Sequence, residues 1–149
     1  DRLNTIAEDI AKHFLSRGYS GKAMVLAIDK FTTVKMFDKV KYHFNKILEK
    51  LKDDLRNSSP EEQKLIKEKI SEIKNLDMAV VISSEQNEIK KFSDKGLNIK
   101  PHRERMVKED LAEKFKKPND PFTILWLTTQ KSPSKFHSCF PYVHLHYAQ

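Results

Sequence analysis

The sequence predicts an α/β fold in which a three-stranded parallel sheet lies between two layers of helices. The first observation is a set of three short apolar runs, at residues 23–28, 78–82 and 122–127. Runs that are apolar on both faces and bounded by polar residues are typical of strands buried inside a parallel sheet. The second observation is that segments with helical periodicity separate the three runs, and this alternation favours parallel pairing in a three-layer domain.

The elements before the second strand follow from apolar spacing. Apolar residues recur at helical intervals from Leu3 to Leu15, which predicts a first helix, and Gly18 is placed to end it. After the first strand, apolar positions between residues 34 and 55 predict a helix of about 23 residues, roughly 35 Å long. We expect Thr32 or Thr33 to be its N-cap.

A capping box predicts the next helix. Ser59 is placed as the N-cap, Pro60 as the first helical residue and Glu62 as the third. The two helices therefore form an antiparallel hairpin, an insertion at about residues 33–75 that projects from the sheet. Its mixed Lys and Glu surface is typical of a solvated face, and docking of a protein there is the alternative.

The region after the second strand is predicted to begin a helix at once, because Ser83 and Ser84 carry an N-cap signal. Ile89 and Phe92 would form its apolar face, and Gly96 would follow its end. Residues 98–103 are expected to be extended, because a proline at position 101 disfavours helix at the residue before it.

A single helix is predicted for residues 105–117. Val107, Leu111 and Phe115 mark its apolar stripe, and a rigid turn with two prolines separates it from the third strand.

Composition points to an anionic partner. The chain has 149 residues and a formal net charge of +7, which favours nucleic acid first and acidic lipid second, although lysine-rich helices are often merely soluble. The single cysteine, Cys139, excludes an internal disulfide and fits a reducing cytoplasmic location. No apolar run is long enough to span a membrane, and the chain starts without Met, so we expect a piece of a longer protein.

The loop after the first strand is the best candidate site. Lys30 and the start of a helix follow the strand directly, at the sheet edge where α/β folds bind phosphate. No catalytic residue and no metal ligand set can be named. His144 and His146 are two residues apart and could share one face of a strand, but no third ligand is in register with them. A small-molecule enzyme is disfavoured, because no glycine-rich loop and no acid–base pair follow the strands.

Three stretches, taken together and in order, resemble the motor (restriction, R) subunit of type I restriction–modification enzymes. They are Arg2-Leu3-Asn4-Thr5-Ile6-Ala7-Glu8-Asp9-Ile10 with Gly21-Lys22-Ala23-Met24-Val25, Asp77-Met78-Ala79-Val80-Val81-Ile82-Ser83 with Glu85-Gln86-Asn87-Glu88-Ile89, and Pro101-His102-Arg103-Glu104-Arg105-Met106 through Lys114-Phe115-Lys116, Pro118 and Asp120-Pro121-Phe122. The resemblance implies that residues 1–128 are the second RecA-like (P-loop NTPase type) helicase lobe of an ATP-dependent DNA translocase and endonuclease. Its partners would be double-stranded DNA and the methylation and specificity subunits.

The same resemblance implies a division of roles within the parent enzyme. ATP and Mg would bind between two lobes, but this chain contains neither the phosphate-binding loop nor the acidic metal motif of the first lobe, so we expect the fragment alone to be inactive and to need no cofactor. The implied contacts to the DNA backbone are Asp29, Lys30, Thr32, Ser83, Ser84 and Thr128. For Lys30 and Thr32, an ordinary solvated lysine and a helix cap are the alternative, and capping alone is the alternative for the two serines.

The end of the chain departs from the family pattern. Trp126-Leu127-Thr128 matches the start of a family motif, but the Gly-Phe-Asp and the arginine helix that should follow are missing. We therefore interpret residues 129–149 as an atypical or truncated tail. The hypothesis competing with a translocase fragment is a non-catalytic α/β module that docks to protein through its helical hairpin.

Overall fold

The computed structural model describes residues 1–17 and 21–128, together with the backbone of residues 143–148. Its helices and strands are, in chain order, α1 (Arg2–Ser16), β1 (Lys22–Ala27), α2 (Lys30–Arg56), α3 (Pro60–Asn75), β2 (Asp77–Val80), α4 (Glu88–Asp94), α5 (Lys100–Lys108), α6 (Leu111–Lys116), β3 (Phe122–Thr128) and β4 (Val143–Ala148). The strands form one small sheet in the order β2-β3-β1-β4, and every pairing is parallel. The predicted α/β class and the parallel sheet are confirmed.

The three predicted strands all form, with small shifts at their ends. Strand β1 pairs with β3 from Ala23 opposite Ile124 to Ala27 opposite Thr128. Strand β2 is shorter than predicted, although the Val81 amide still donates to the Trp126 carbonyl at 2.9 Å. The fourth strand, β4, lies in the segment that we interpreted as a tail, and its backbone pairs with β1. The sequence analysis did not predict this strand.

Helices cover both faces of the sheet, as a three-layer arrangement requires. On one face, α1, α2 and the end of α3 pack against β1, β2 and β3, and Trp126 lies at the centre of this core, fully buried. On the other face, the short helix α6 packs Leu111 and Phe115 against Met24 and Leu125. Burial on both faces explains why the strand sequences are apolar throughout rather than alternating.

The helix after β1 begins earlier than predicted, because Asp29 rather than Thr32 or Thr33 is its N-cap. Helix α2 is 27 residues long, about 40 Å at 1.5 Å per residue, whereas the six-residue strand β1 spans about 20 Å. Its buried residues end at Phe44, and the half-buried residues beyond it face α3.

The projecting hairpin is confirmed. Helices α2 and α3 pack together, and Gln63 Nε2 donates to the Leu55 carbonyl at 3.3 Å near the tip. The capping box also forms: the Ser59 hydroxyl accepts from the Glu62 amide at 3.4 Å, and the Glu62 carboxylate accepts from the Ser59 amide at 3.1 Å. Each bond satisfies an amide that the first turn of a helix leaves unpaired.

The start predicted for the helix after β2 was wrong, although a helix forms there. Residues 83 and 84 are exposed and do not cap a helix; α4 begins only at Glu88, preceded by Asn87 in the left-handed region at φ 56°. Ile89 is exposed, whereas Phe92 is fully buried, as predicted. The predicted end is confirmed, since Gly96 has φ 72° and the Leu97 amide donates to the Phe92 carbonyl at 2.9 Å.

Two predictions for the following region were also wrong. Residues 100–103 are helical, because Pro101 lies in the first turn of α5, where its missing N–H is not needed. The single helix predicted for residues 105–117 is divided into α5 and α6, and Asp110 caps the second by accepting from the Glu113 amide at 3.2 Å. Val107 consequently faces solvent and is 78% exposed.

The capping box provides a test of the hairpin. We expect Ser59→Ala to lower the free energy of unfolding by about 1 kcal/mol, because the Glu62 amide loses its acceptor. Urea denaturation of the full chain measures this. Ser71→Ala, on the exposed middle of α3, is the matched control and should be neutral or slightly stabilising. Equal losses in the two variants would contradict the role assigned to the cap.

Candidate functional site

The carboxyl ends of β1, β2 and β3 lie at one edge of the sheet, because parallel strands end on the same side. We call this the carboxyl edge and define it by residues 28–31, 81–88 and 128. The sequence analysis selected six residues as DNA contacts, and all six lie at this edge or in the first turn of α2 beside it. The three chain segments that carry them are far apart in sequence and come together only through strand pairing.

At the end of β1, the start of α2 is already satisfied internally. The Asp29 carboxylate accepts from the Thr32 amide at 2.7 Å and from the Thr32 hydroxyl at 3.0 Å. The Thr33 hydroxyl is 2.8 Å from the Asp29 carbonyl and 3.3 Å from the Leu127 carbonyl, which joins α2 to β3. The Thr32 amide, one of the N–H groups at the helix start, is therefore bonded to Asp29, and Asp29 rather than Thr32 caps α2 in this conformation.

Lys30 is the cation that remains at the end of β1. It is partly exposed and forms no ion pair within the described part of the chain. A second cation, Lys95, places its ammonium 4.8 Å from the centre of the Phe31 ring, next to Lys30. The sequence analysis missed Lys95, because only the packing of Phe92 against Phe31, at 4.8 Å between ring centres, brings the end of α4 to this edge.

The loop after β2 exposes Ser83 and Ser84 to solvent, and Arg103 stabilises this loop. The Arg103 guanidinium donates to both carboxylate oxygens of Glu88, each at 2.8 Å, and to the Ile82 carbonyl at 3.1 Å. Both side chains of this ion pair are mostly buried. A bidentate ion pair of this kind fixes the orientation of the guanidinium as well as its distance from the carboxylate. Through its bond to the Ile82 carbonyl, the guanidinium positions the backbone just before the two serines.

Thr128 does not present its side chain to solvent. It is the last residue of β3 and is 4% exposed. Trp126 and Leu127, which precede it in the matched motif, lie inside the strand and are buried. The indole N–H of Trp126 has no hydrogen-bond partner among the described residues.

A second polar cluster lies at the opposite edge of the sheet, where β2 begins. Arg105 donates to the Asp77 carboxylate at 2.8 and 3.0 Å, to the Met78 carbonyl at 3.0 Å and to Glu109 at 2.6 Å. Lys114 also contacts Glu109. Hydrogen bonds from Arg105 and then from Lys114 lower the pKa of Glu109 to about 2, and the hydrogen bonds to Glu109 and to Asp77 raise the pKa of Arg105.

His102 is buried beside this cluster. It is 8% exposed, and its ring meets the Phe37 ring edge-on at 4.7 Å between centres. Burial, followed by the cations Lys41 and Arg105, lowers the pKa of His102 to about 4. The imidazole is therefore neutral near pH 7.

Candidate metal and membrane features can be judged only for the described ranges. Within them, no three His, Cys, Asp or Glu side chains are grouped to hold a metal ion. Of the helices described, none combines the length and the apolar character needed to cross a bilayer. His144 and His146 lie on β4, where only the backbone is described, and Cys139 falls outside the described residues.

The Arg103–Glu88 ion pair should stabilise the loop that carries Ser83 and Ser84. We expect Arg103→Lys to lower the free energy of unfolding by about 1–2 kcal/mol, because lysine cannot bond both carboxylate oxygens and the Ile82 carbonyl together. Urea denaturation measures the loss, and amide exchange at residues 83 and 84 should become faster. Lys91→Gln, which removes an exposed pair with Glu85, is the control and should change stability by less than about 0.5 kcal/mol.

His102 predicts a dependence of stability on pH. Its pKa is about 4 when folded and about 6.5 when unfolded, so only the unfolded chain takes up the proton between these values. The neutral ring makes its full contribution to the free energy of unfolding above about pH 6.5. That contribution falls as the pH decreases, by about 2–3 kcal/mol at pH 4.5. Urea denaturation from pH 7 to 4.5 should show this loss in the natural chain and in His13→Gln, a variant of an exposed helix histidine. A fall of the same size in His102→Gln would refute the assignment.

No family model matches the chain, and neither a curated protein nor a solved structure does so. Function must therefore be inferred from the residues and their geometry.

Proposed function

We propose that the chain is part of the motor subunit of a type I restriction enzyme, an ATP-dependent DNA translocase and endonuclease, and that it contacts the DNA backbone. The observation that carries this proposal is that the carboxyl ends of β1, β2 and β3, with the loops after β1 and β2, converge at the carboxyl edge. The three stretches that resemble that family support it, and so does the net charge of +7. The finer assignment to a RecA-like second helicase lobe belongs to the same proposal, and the parallel sheet with helices on both faces is compatible with it.

The proposed contact needs phosphate groups but no base. Lys30 and Lys95 would supply positive charge, and the hydroxyls of Ser83 and Ser84 would donate to phosphate oxygens. The Asp29 carboxylate caps α2 and accepts from the Thr32 amide and hydroxyl, so both residues are already bonded within the chain beside Lys30. Binding of this kind depends on charge and is insensitive to DNA sequence.

The proposed division of labour leaves ATP chemistry to the whole enzyme. The chain would form one wall of an ATP and Mg site whose phosphate-binding loop belongs to another lobe, since no such loop occurs in this sequence. Translocation and cleavage would also require the methylation and specificity subunits. The fragment by itself is expected to bind DNA and to lack both hydrolytic activities.

One observation favours the alternative, an α/β module that docks to protein through the hairpin. Leu65 on α3 is 62% exposed, and the hairpin extends beyond the part of α2 that the sheet buries. A large apolar side chain on a projecting element is a common feature of protein contacts, although single exposed leucines are also normal.

Duplex binding distinguishes the two proposals. We expect the full chain to bind two duplexes of about 20 base pairs and unrelated sequence with equal affinity, and the logarithm of the binding constant to fall with the logarithm of salt concentration with a slope of about −2 to −4. Lys30→Gln and Lys95→Gln should each reduce affinity several-fold and the magnitude of that slope by about 1. Fluorescence anisotropy across a salt series measures both quantities.

Lys64→Gln, at an exposed lysine on α3, is the matched control for lost charge and should leave the affinity nearly unchanged. Binding that is weak and independent of salt would contradict the translocase proposal and leave the docking module as the better account. Equal losses in all three variants would show that charge acts without regard to the carboxyl edge.

A further inference from the structure

A cleft at the amino end of β2 is the strongest feature that the proposed function does not use. Its volume is about 580 Å³, within the range of small-molecule sites. It lies between α2, the end of α3 and α5, at the edge of the sheet opposite the carboxyl edge. DNA contacts of the kind proposed above therefore leave it free.

The floor of the cleft is apolar and partly aromatic. Phe37 and Phe44 from α2, Ile73 from α3 and Met78 from β2 line it, and all four are buried core residues. The His102 ring closes one side against Phe37. Such a floor suits an aromatic or branched apolar group.

The walls of the cleft are rich in hydrogen-bond donors. Lys41 and Lys74 line it, are exposed, and form no ion pair within the described ranges of the chain. The side-chain amides of Asn45 and Asn98 add further N–H groups. Two lysine ammonium groups beside two amides suit an oxyanion.

Two carboxylates, Asp77 and Asp38, also line the cleft, and they do not cancel its positive charge. Asp77 is bound by Arg105 through both oxygens, so neither charge is available to a ligand in full. Asp38 lines the cleft one turn before Lys41; burial raises the pKa of its carboxyl and the charge of Lys41 lowers it, so Asp38 offsets part of the Lys41 charge. Lys41 and Lys74 are the charges that a bound anion can neutralise.

His102 is a second, independent sign of a ligand site. It is more than nine-tenths buried and lines the cleft, yet none of the hydrogen bonds formed among the described residues involves its ring nitrogens. The charged groups that line the cleft with it are Asp38 and Lys41 from α2, Lys74 from α3, Asp77 from β2 and Arg105 from its own helix. Because two of these cations lower the pKa of His102, an anion placed among them would raise it.

We propose that this cleft binds a small organic anion, a molecule with an aromatic or branched apolar body and one carboxylate or phosphate group. The apolar body packs on Phe37 and Phe44, and the anionic group lies between Lys41 and Lys74 within reach of His102. The inference is independent of the DNA proposal, since the two surfaces lie at opposite edges of the sheet.

The test uses the full chain and three matched molecules: 3-phenylpropionate, phenyl phosphate and the neutral 3-phenylpropanol. We expect saturable NMR shifts of the Ile73 and Met78 methyl groups, with a dissociation constant on the order of 1 mM for the better anion and binding about tenfold weaker for the alcohol. Tighter binding of the phosphate ester would assign the natural ligand to phosphate esters, and tighter binding of the carboxylate would assign it to carboxylic acids. A pH titration of the His102 ring should show its pKa rising when the better anion is bound.

Variants distinguish specific binding in the cleft from nonspecific attraction of anions to a basic protein. Lys41→Gln and Lys74→Gln should each weaken binding of the better anion about 3- to 10-fold and leave the alcohol unaffected. Lys67→Gln, at an exposed lysine on α3 outside the cleft, should bind as the natural chain does. The proposal is overturned if neither anion saturates the methyl shifts, if the alcohol binds as tightly as the anions, or if Lys67→Gln loses as much affinity as the cleft variants.

Discussion

The pairing of β3 with both β1 and β2 is the interaction on which the rest of the structure depends. β3 lies between them, and its seven residues are almost all buried. The strands carry apolar side chains on both faces, so helices must cover both sides. This coverage places α2 on one face and α6 on the other, and the parallel pairing brings the carboxyl ends of three strands to a single edge.

Strand β2 shows how this arrangement is completed at the outside of the sheet. It has four residues and pairs with β3 on one side only. Helix α5 holds it at both ends: Arg105 binds Asp77 and the Met78 carbonyl at its start, and Arg103 binds the Ile82 carbonyl just after its end. Two arginines on one helix thus fix a short edge strand and the loops at either side of it.

The same arrangement separates two chemically different surfaces. The carboxyl edge carries Lys30 and Lys95 beside exposed serine hydroxyls. The cleft at the amino end of β2 combines an aromatic floor with Lys41 and Lys74. The first surface suits an extended polyanion, and the second suits a small molecule with a single anionic group.

The sequence by itself determined the α/β class, the three core strands, the first helix and the capping box of the hairpin. These features depend on local signals, namely apolar periodicity and capping side chains, which act over a few residues. Local signals failed at two places. Ser83 and Ser84 carry a cap signal, but Arg103 and Glu88 stabilise a non-helical conformation of that loop. Pro101 fits the first turn of a helix that begins one residue earlier. Only the tertiary structure decided that Lys95 lies over the Phe31 ring and that His102 faces a cleft. Each of these contacts depends on the packing of helices against the sheet or on the exact residue at which a helix begins, neither of which spacing along the chain specifies.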